Sequence, residues 1–300
     1  MPADEILVFT AVRNEKLRLQ YFLKHYRALG FYHFLFVDNG SDDGTVEFLA
    51  AQPDVSLWTT KHSYRLARFG MDWLGWLQAM HGHNQWCLTV DADELLIYPE
   101  YKSRDLKALT GWLDERDLLS FGAIMLDLYP KGPLGDAKYL AGDDPTKTLC
   151  WYDADNYRSQ YHPYYGNLWI QGGVRDRMFF GSDRDRAPTL NKTPLVRWNR
   201  RFAYASSTHQ ILPRHLHDVF DQAGDSKTSG VLLHTKFLPN IGAKSQEELV
   251  RQQHFENSEI YKDYHQQLIE NPTLWHQGSK RYAGEADLVA HGLMSKGTWV

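Results

Sequence analysis

Two carboxylates spaced i, i+2 follow directly on an apolar run: Asp91-Ala92-Asp93 comes after Trp86–Val90. At the end of an extended strand such a pair points to one side. It can hold a hard divalent cation directly or through water. That cation would bridge two phosphate oxygens and neutralise charge on a departing diphosphate. A bare Asp-x-Asp also forms polar turns and helix caps, and only its place after a buried strand sets this one apart. A second polar group, Asp38-Asn39-Gly40-Ser41-Asp42-Asp43-Gly44, follows the apolar run ending at Val37. Asp38 can accept a hydrogen bond from the N3–H of uracil. Equally, the loop can be an Asx-type turn with Ser41 or Asp43 capping the next helix. His234 closes the run Val231-Leu232-Leu233 and is either a metal ligand or a hydrogen-bonded core residue. Lys236, two residues on, would share its side of an extended chain. In Gly172-Gly173-Val174-Arg175-Asp176-Arg177 two arginines flank an aspartate. The group is either a solvated cluster after a tight turn or a phosphate-binding arginine beside a general base, Asp176. His209 is the rival base, with an ordinary pKa suited to proton abstraction near neutrality.

The elements that would position these residues alternate. Ile6–Val12 is a short apolar, β-prone run of the kind buried on both faces. Leu19, Phe22, Leu23, Tyr26 and Leu29 recur at helical spacing, and Gly30 stands where a helix ends. Further strands are expected at His33–Val37, Val55–Trp58 and Trp86–Val90, with helices over 45–51 and 66–80. This order predicts an α/β fold with a mostly parallel, doubly wound sheet. Ligands of such sheets bind beyond strand C-termini, so the clusters at 13–15, 38–43 and 91–94 should converge in one crevice. Later strands are expected at 120–128, 195–198 and 231–234, with loop over 130–165. A long polar helix should begin at Ser245, with Glu248 completing a capping box, and stop at Asn271-Pro272. With no repeat and no convincing linker, residues 1–300 read as one domain.

The composition bounds the function. A net charge of -4 gives no basic excess for nucleic acid or an anionic membrane. The two cysteines, Cys87 and Cys150, exclude a disulfide framework and favour a reducing compartment. The N-terminus lacks a signal-peptide pattern, and no stretch of about 18 apolar residues occurs. A cytoplasmic protein is expected, with peripheral membrane association open through a partner or lipid substrate. The 10 Trp, 17 Tyr and 14 Phe fit a large core, and also suit stacking on sugar rings.

Three runs in order, Ala11-Val12-Arg13-Asn14-Glu15, Asp38 to Thr45, and Asp91-Ala92-Asp93-Glu94-Leu95, resemble the family 2 glycosyltransferases, most closely the bacterial branch akin to family 92. The resemblance extends to Gly172-Gly173-Val174-Arg175, Lys192-Thr193-Pro194-Leu195-Val196, Ser207-Thr208-His209 and Leu233-His234-Thr235-Lys236-Phe237. It implies a GT-A fold, with a Rossmann-like nucleotide-sugar-binding half at 1–100 and an acceptor-binding half with C-terminal helices at 101–300. It implies inverting, Mn2+- or Mg2+-dependent transfer from a nucleotide sugar, with UDP the expected nucleotide, to a saccharide or glycolipid. Val12, Arg13, Asn14 and Glu15 would lie along the nucleotide, and Asp38 would read the base. Arg65 or Arg68 would approach the base or diphosphate. Lys192 and Lys236 would join the donor site. Asp91 would meet the ribose or metal, Asp93 would be the main metal ligand, and His234 a further ligand. The Glu-Asp pair that usually supplies the base in family 2 is missing at the expected distance, leaving Asp176 and His209 as candidates. A sugar nucleotidylyltransferase would carry a Gly-rich basic loop where Val12–Glu15 stands. A non-catalytic carbohydrate-binding module gives no reason for aspartates at strand ends. A glycoside hydrolase could use paired carboxylates but not a Rossmann-like first half.

Overall fold

The computed structural model describes residues 5–31, 33–220, 227–251, 253 and 258–300. Strand β1 (Leu7–Val12) is buried on both faces and lies between β2 (His33–Asp38) and β4 (Trp86–Thr89). Beyond β2 runs β3 (Val55–Thr59), and these four strands are mutually parallel in the order β3-β2-β1-β4. Their connections contain α1 (Lys16–Ala28), α2 (Thr45–Ala50) and α3 (Met71–His81). Alternation along β1 divides the packing. Val8 and Val12 join the core that includes Leu19, Phe22 and Tyr26 of α1. Leu7 and Phe9 face the opposite way, with Leu74 and Leu77 of α3. The continuous apolar runs of the sequence arise because neither face meets water. Helix α1 stops at Gly30, whose φ of 95° is the left-handed conformation that closes a helix without steric cost.

The chain continues through β5 (Glu94–Ile97), α4 (Leu106–Asp114), β6 (Ser120–Asp127), α5 (Pro145–Thr148), β7 (Trp151–Tyr152), β8 (Arg158–His162), β9 (Asn167–Gln171), α6 (Gly173–Phe179) and β10 (Asn191–Arg197). It ends with β11 (Ala203–Ser206), β12 (Gln210–Leu212), β13 (Gly230–His234), α7 (Ile241–Arg251), α8 (Ser258–Ile269), β14 (Lys280–Arg281) and α9 (Glu285–Ala290). The eight-stranded sheet is completed as β4-β10-β6-β13-β5. β10 is antiparallel to both neighbours, β13 is parallel to β6, and β5 closes the edge antiparallel to β13. The sheet is therefore α/β and mixed, with a Rossmann-like parallel half. Residues 90–93 carry the chain from β4 past β10, β6 and β13 to β5. Four interstrand steps span about 19 Å in a flat sheet, more than the roughly 17 Å that five extended residues reach. The sheet must curl here, and the Asp91–Asp93 segment lies across strand ends.

Three elements depart from expectation. The helix expected over 66–80 begins at Met71, because Arg68, Phe69 and Gly70 all have positive φ (48°, 58° and 79°) and cannot continue a right-handed helix. Residues 130–165 are not all loop: they hold α5, β7 and the β8 strand of a hairpin with β9. Ser245 is no N-cap. It is buried inside α7, which starts at Ile241.

Candidate functional site

The strand ends do converge. The Asn14 backbone N–H donates to Ser41 Oγ (2.9 Å), that of Asp42 to Asn14 Oδ1 (2.9 Å), and that of Glu15 to Thr45 Oγ1 (3.0 Å). Asp43 accepts from the N–H groups of Thr45 and Lys16, 2.9 and 3.1 Å away, tying the start of α2 to that of α1. Asp38 is buried. Its Oδ1 accepts from Gly40 and Ser41 N–H, each at 3.0 Å, and its Oδ2 from the Ser41 hydroxyl. That is an Asx-type turn, and it engages both oxygens that were expected to read a base.

Helix α7 lies over these loops. Arg13 Nε donates to Glu247 Oε1 (2.9 Å), and its Nη1 reaches Asn39 O at 2.8 Å. Glu15 pairs with both Arg18 and Lys244. Arg251 donates to Asn39 Oδ1 at 3.3 Å. The backbone N–H of Arg65 donates to Gln253, while the Arg68 side chain is engaged by Asp72 and Tyr204 O.

The C-terminal ends of β6 and β13 build a buried chain of charges. His234 Nδ1 donates to Asp127 Oδ1 at 2.5 Å, and Asp127 Oδ2 accepts from Arg175 Nε at 2.7 Å. On its other side His234 Nε2 lies 3.2 Å from Asp93 Oδ2. Burial opposes the imidazolium charge, but Asp93 and Asp127 outweigh it and raise the His234 pKa above the ordinary value. Burial likewise opposes charge on Asp127, yet Arg175 and His234 hold its pKa down at about 2. The Asp93 carboxyl is held well below the usual range, His234 overcoming its desolvation. Arg18 and Lys236 add positive potential at Asp93. The chain Asp93–His234–Asp127–Arg175 thus spans four separate segments. Asp127 and Arg175 were not assigned to it from sequence. Asp127 carries the signal that Asp38 carries, an acidic residue ending an apolar strand.

Asp91 does not join Asp93 and His234. The segment is a turn rather than extended chain: Glu94 N–H donates to Asp91 O at 3.0 Å. The alternation expected of an i, i+2 pair therefore fails. The Asp91 side chain is 57% exposed and faces Lys192 at 3.3 Å, and Lys192 also pairs with the buried Glu94. Burial opposes the Lys192 charge, but Glu94 and Asp91 raise its pKa. Among the described residues no group of three or more His, Cys, Asp or Glu side chains is arranged to hold a metal ion; of the expected trio, Asp93 and His234 stand side by side and Asp91 faces Lys192 instead. The Asp93–His234 pair fits one edge of a coordination sphere. Two cis ligands of an octahedral ion at about 2.1 Å stand roughly 3.0 Å apart. Asp127 behind His234 is the carboxylate that typically orients a ligating imidazole.

The cluster at 172–177 is not a solvated one. Asp176 is 1% exposed and closed by Arg158 (2.9 Å) and Arg184 (2.6 Å). Arg177 pairs with Asp153 at 2.7 Å. The guanidiniums expected to meet phosphate are thus satisfied within the protein. His209 Nδ1 donates to Asn191 O (2.8 Å), and burial, with Lys192 nearby, lowers its pKa to about 3. Cys87 and Cys150 are free thiols.

No family model matches the sequence, and no curated protein matches it. Among solved structures, one similar chain is described as a glucose-1-phosphate thymidylyltransferase from Bacillus anthracis in complex with sucrose, 11% identical with a TM-score of 0.26 over 45% of this chain and 61% of that one. Another is a 4-diphosphocytidyl-2C-methyl-D-erythritol synthase, 13% identical with a TM-score of 0.28 over 47% of this chain and 66% of that one. The chain covers less than two thirds of either. The fold class rests on the strand order itself.

Proposed function

We propose that the protein is a glycosyltransferase that moves a sugar from a nucleoside diphosphate, UDP first among candidates, to a saccharide or glycolipid acceptor with inversion. The observation behind this reading is the Asp93–His234–Asp127 chain at the open end of a Rossmann-like sheet, where such folds bind nucleotides. Asp93 Oδ2 and His234 Nε2 would hold Mn2+ or Mg2+, a cation that usually keeps waters and substrate phosphates among its ligands. When bound, it would neutralise charge developing on the leaving diphosphate. Lys236 and Arg18 would add positive potential beside it. Val12, Arg13, Asn14 and Glu15 line the path of the nucleotide, with α7 above them. Asp38 shapes the loop. Lys192, paired with Asp91, would hold it toward the ribose, and Arg65 or Arg68 would approach the base or diphosphate. His209 is kept neutral by burial, which also weakens it as a base, and its Nδ1 is tied to Asn191 O; in this reading its Nε2 would take the proton of the acceptor hydroxyl. Asp176 serves as a structural anion. A cytoplasmic location, with the acceptor reached in solution or at a membrane surface, belongs to the same reading. Among the described residues no helix is long and apolar enough to cross a membrane.

Calorimetric titration of UDP with Mn2+ and with chelator tests the core of this. Binding should depend on the metal, and Asp93→Asn should remove that dependence. Equal affinity with and without metal would end the metal-bridge reading. Tighter binding of a guanosine or cytidine diphosphate would change only the base.

A further inference from the structure

A cavity of about 330 Å³ lies at the far edge of the sheet, outside the site just described. Its apolar floor is Leu95 and Ile97 of β5 with Leu233 of β13. Side chains alternate along a strand, so Glu94 and His234, the neighbours of Leu95 and Leu233, face the other way. The cavity and the Asp93–His234 pair are therefore on opposite faces of one β-ribbon. Its size is that of a small-ligand pocket, about 300–1,000 Å³.

Two features of the walls point to a ligand. Tyr21, Tyr101 and Tyr282 line the cavity, offering ring faces with polar tips. Asp144 acts on the Tyr21 hydroxyl and Tyr282 on that of Tyr101, so these polar tips lie close together. Lys102, Lys147 and Arg281 line it as well, and none enters an ion pair with a described carboxylate. This differs from the strand-end site, where Arg13, Arg18, Lys192 and Lys244 are all paired internally. The carboxylate in the lining, Asp144, is engaged in capping α5 through Thr146 N and Oγ1, at 3.0 and 2.8 Å. Against these three cations stand Asp144 and, beside Tyr101 and Tyr282, Glu285, a surplus of one positive charge at the rim that favours anions. Inorganic phosphate would answer the cations but leave the tyrosine faces in water. A neutral sugar would cover the tyrosines but leave the cations unanswered.

The geometry points to a binding site for an anionic monosaccharide, one bearing a phosphate or a carboxylate. The ring packs on the tyrosines and the charged group meets Lys102, Lys147 and Arg281. The argument is independent of the transfer reading, since it uses none of the residues of that site. The test is calorimetry with glucose 6-phosphate, glucuronate, glucose and inorganic phosphate, on the parent chain and on the triple variant Lys102→Ala, Lys147→Ala, Arg281→Ala. These three residues are exposed, so the variant should fold with an unchanged melting temperature. At least one of the two sugar anions should bind about tenfold or more tighter than glucose or inorganic phosphate, and the triple variant should lose about that factor. The better of the two identifies the charged group. Tyr282→Ala should weaken the sugar anion and leave inorganic phosphate unchanged. The inference is overturned if neither anion binds, if glucose or phosphate binds equally well, or if the triple variant binds as the parent does. UDP with Mn2+ should bind parent and variant alike. Its failure to bind either would sink the transfer reading and leave this one standing.

Discussion

His234 has an acidic partner on each ring nitrogen, and the two carboxylates cannot act alike. Asp127 is buried and fixed by Arg175, while the Asp93 side chain is 20% exposed. Asp127 is therefore the orienting partner and Asp93 the one that can share a ligand. Asp127→Asn keeps the shape but removes the charge that aligns the imidazole. It should weaken Mn2+-dependent UDP binding by about 10- to 100-fold, and calorimetry with and without metal measures that directly. An unchanged affinity would mean that His234 is a core residue only. Arg175→Met attacks the other end. It leaves buried Asp127 with His234 as its remaining partner, a loss of at most about 3–5 kcal/mol for a broken buried pair, readable in chemical denaturation. The two candidate bases separate by a parallel comparison. Asp176→Asn should lower the melting temperature and leave donor affinity alone, since its carboxylate serves Arg158 and Arg184. His209→Gln should slow transfer at unchanged donor affinity. If His209→Gln transfers normally, the base is another group.

At the scale of elements, what could be read in advance followed from local physics. β1, β2 and β4 were legible because interior strands are apolar runs, and β3, half-buried at the sheet edge, because Val55, Leu57 and Trp58 are β-prone. α1 was legible because one stripe packs on one core and Gly30 ends it. The meeting of the strand-end loops followed from strand polarity. The pairings of the second half were not legible, because β10 enters between β4 and β6 from a hundred residues away and nothing local encodes that. Asp91 was misplaced because the i, i+2 rule presumes an extended chain, and the chain turns there to cross the curled sheet. The start of α7 was misjudged because tertiary burial of Ser245 overrides its capping propensity. That helix matters most for function, since Glu247 and Lys244 engage Arg13 and Glu15, the side chains expected to lie along the nucleotide. If a nucleotide takes that path, α7 must yield these contacts. Glu247→Gln should then tighten UDP–Mn2+ binding about fivefold, the worth of a half-exposed ion pair of about 1 kcal/mol. Weaker binding in that variant would show instead that α7 supports the site as it stands.

Across the whole molecule the four histidines with shifted pKa divide into two groups with opposite pH behaviour. Burial lowers His25 and His217 to about 4 and His209 to about 3. Their contacts suit the neutral ring: His25 Nε2 meets Leu96 O at 2.9 Å, and His217 Nε2 accepts from Ile211 N–H at 2.7 Å. In the unfolded chain each titrates near the ordinary value of about 6.5. As pH falls below that value the unfolded state takes up protons that the folded state refuses. Stability is therefore full above about 6.5, falls as pH drops, and levels off only near 4 to 3. Each histidine contributes a slope of at most about 1.4 kcal/mol per pH unit within that window. His234 does not add to it. Its folded pKa is raised, so both states are protonated below 6.5, and its contribution is lost only as pH rises through the folded value. Asp93 and Asp127, depressed in the fold, act below the ordinary carboxylate value of about 3.9. In the interval from pH 6.5 to 4 the buried neutral histidines lower stability as pH falls, opposed by Glu94, whose carboxyl burial raises above its ordinary value. Melting temperature should fall steadily across it, and the fall should be shallower in His217→Gln, whose amide oxygen can still accept from Ile211 N–H but cannot be charged. A flat profile between pH 6.5 and 5, or an unaltered slope in the variant, would show that these rings take up protons within the fold.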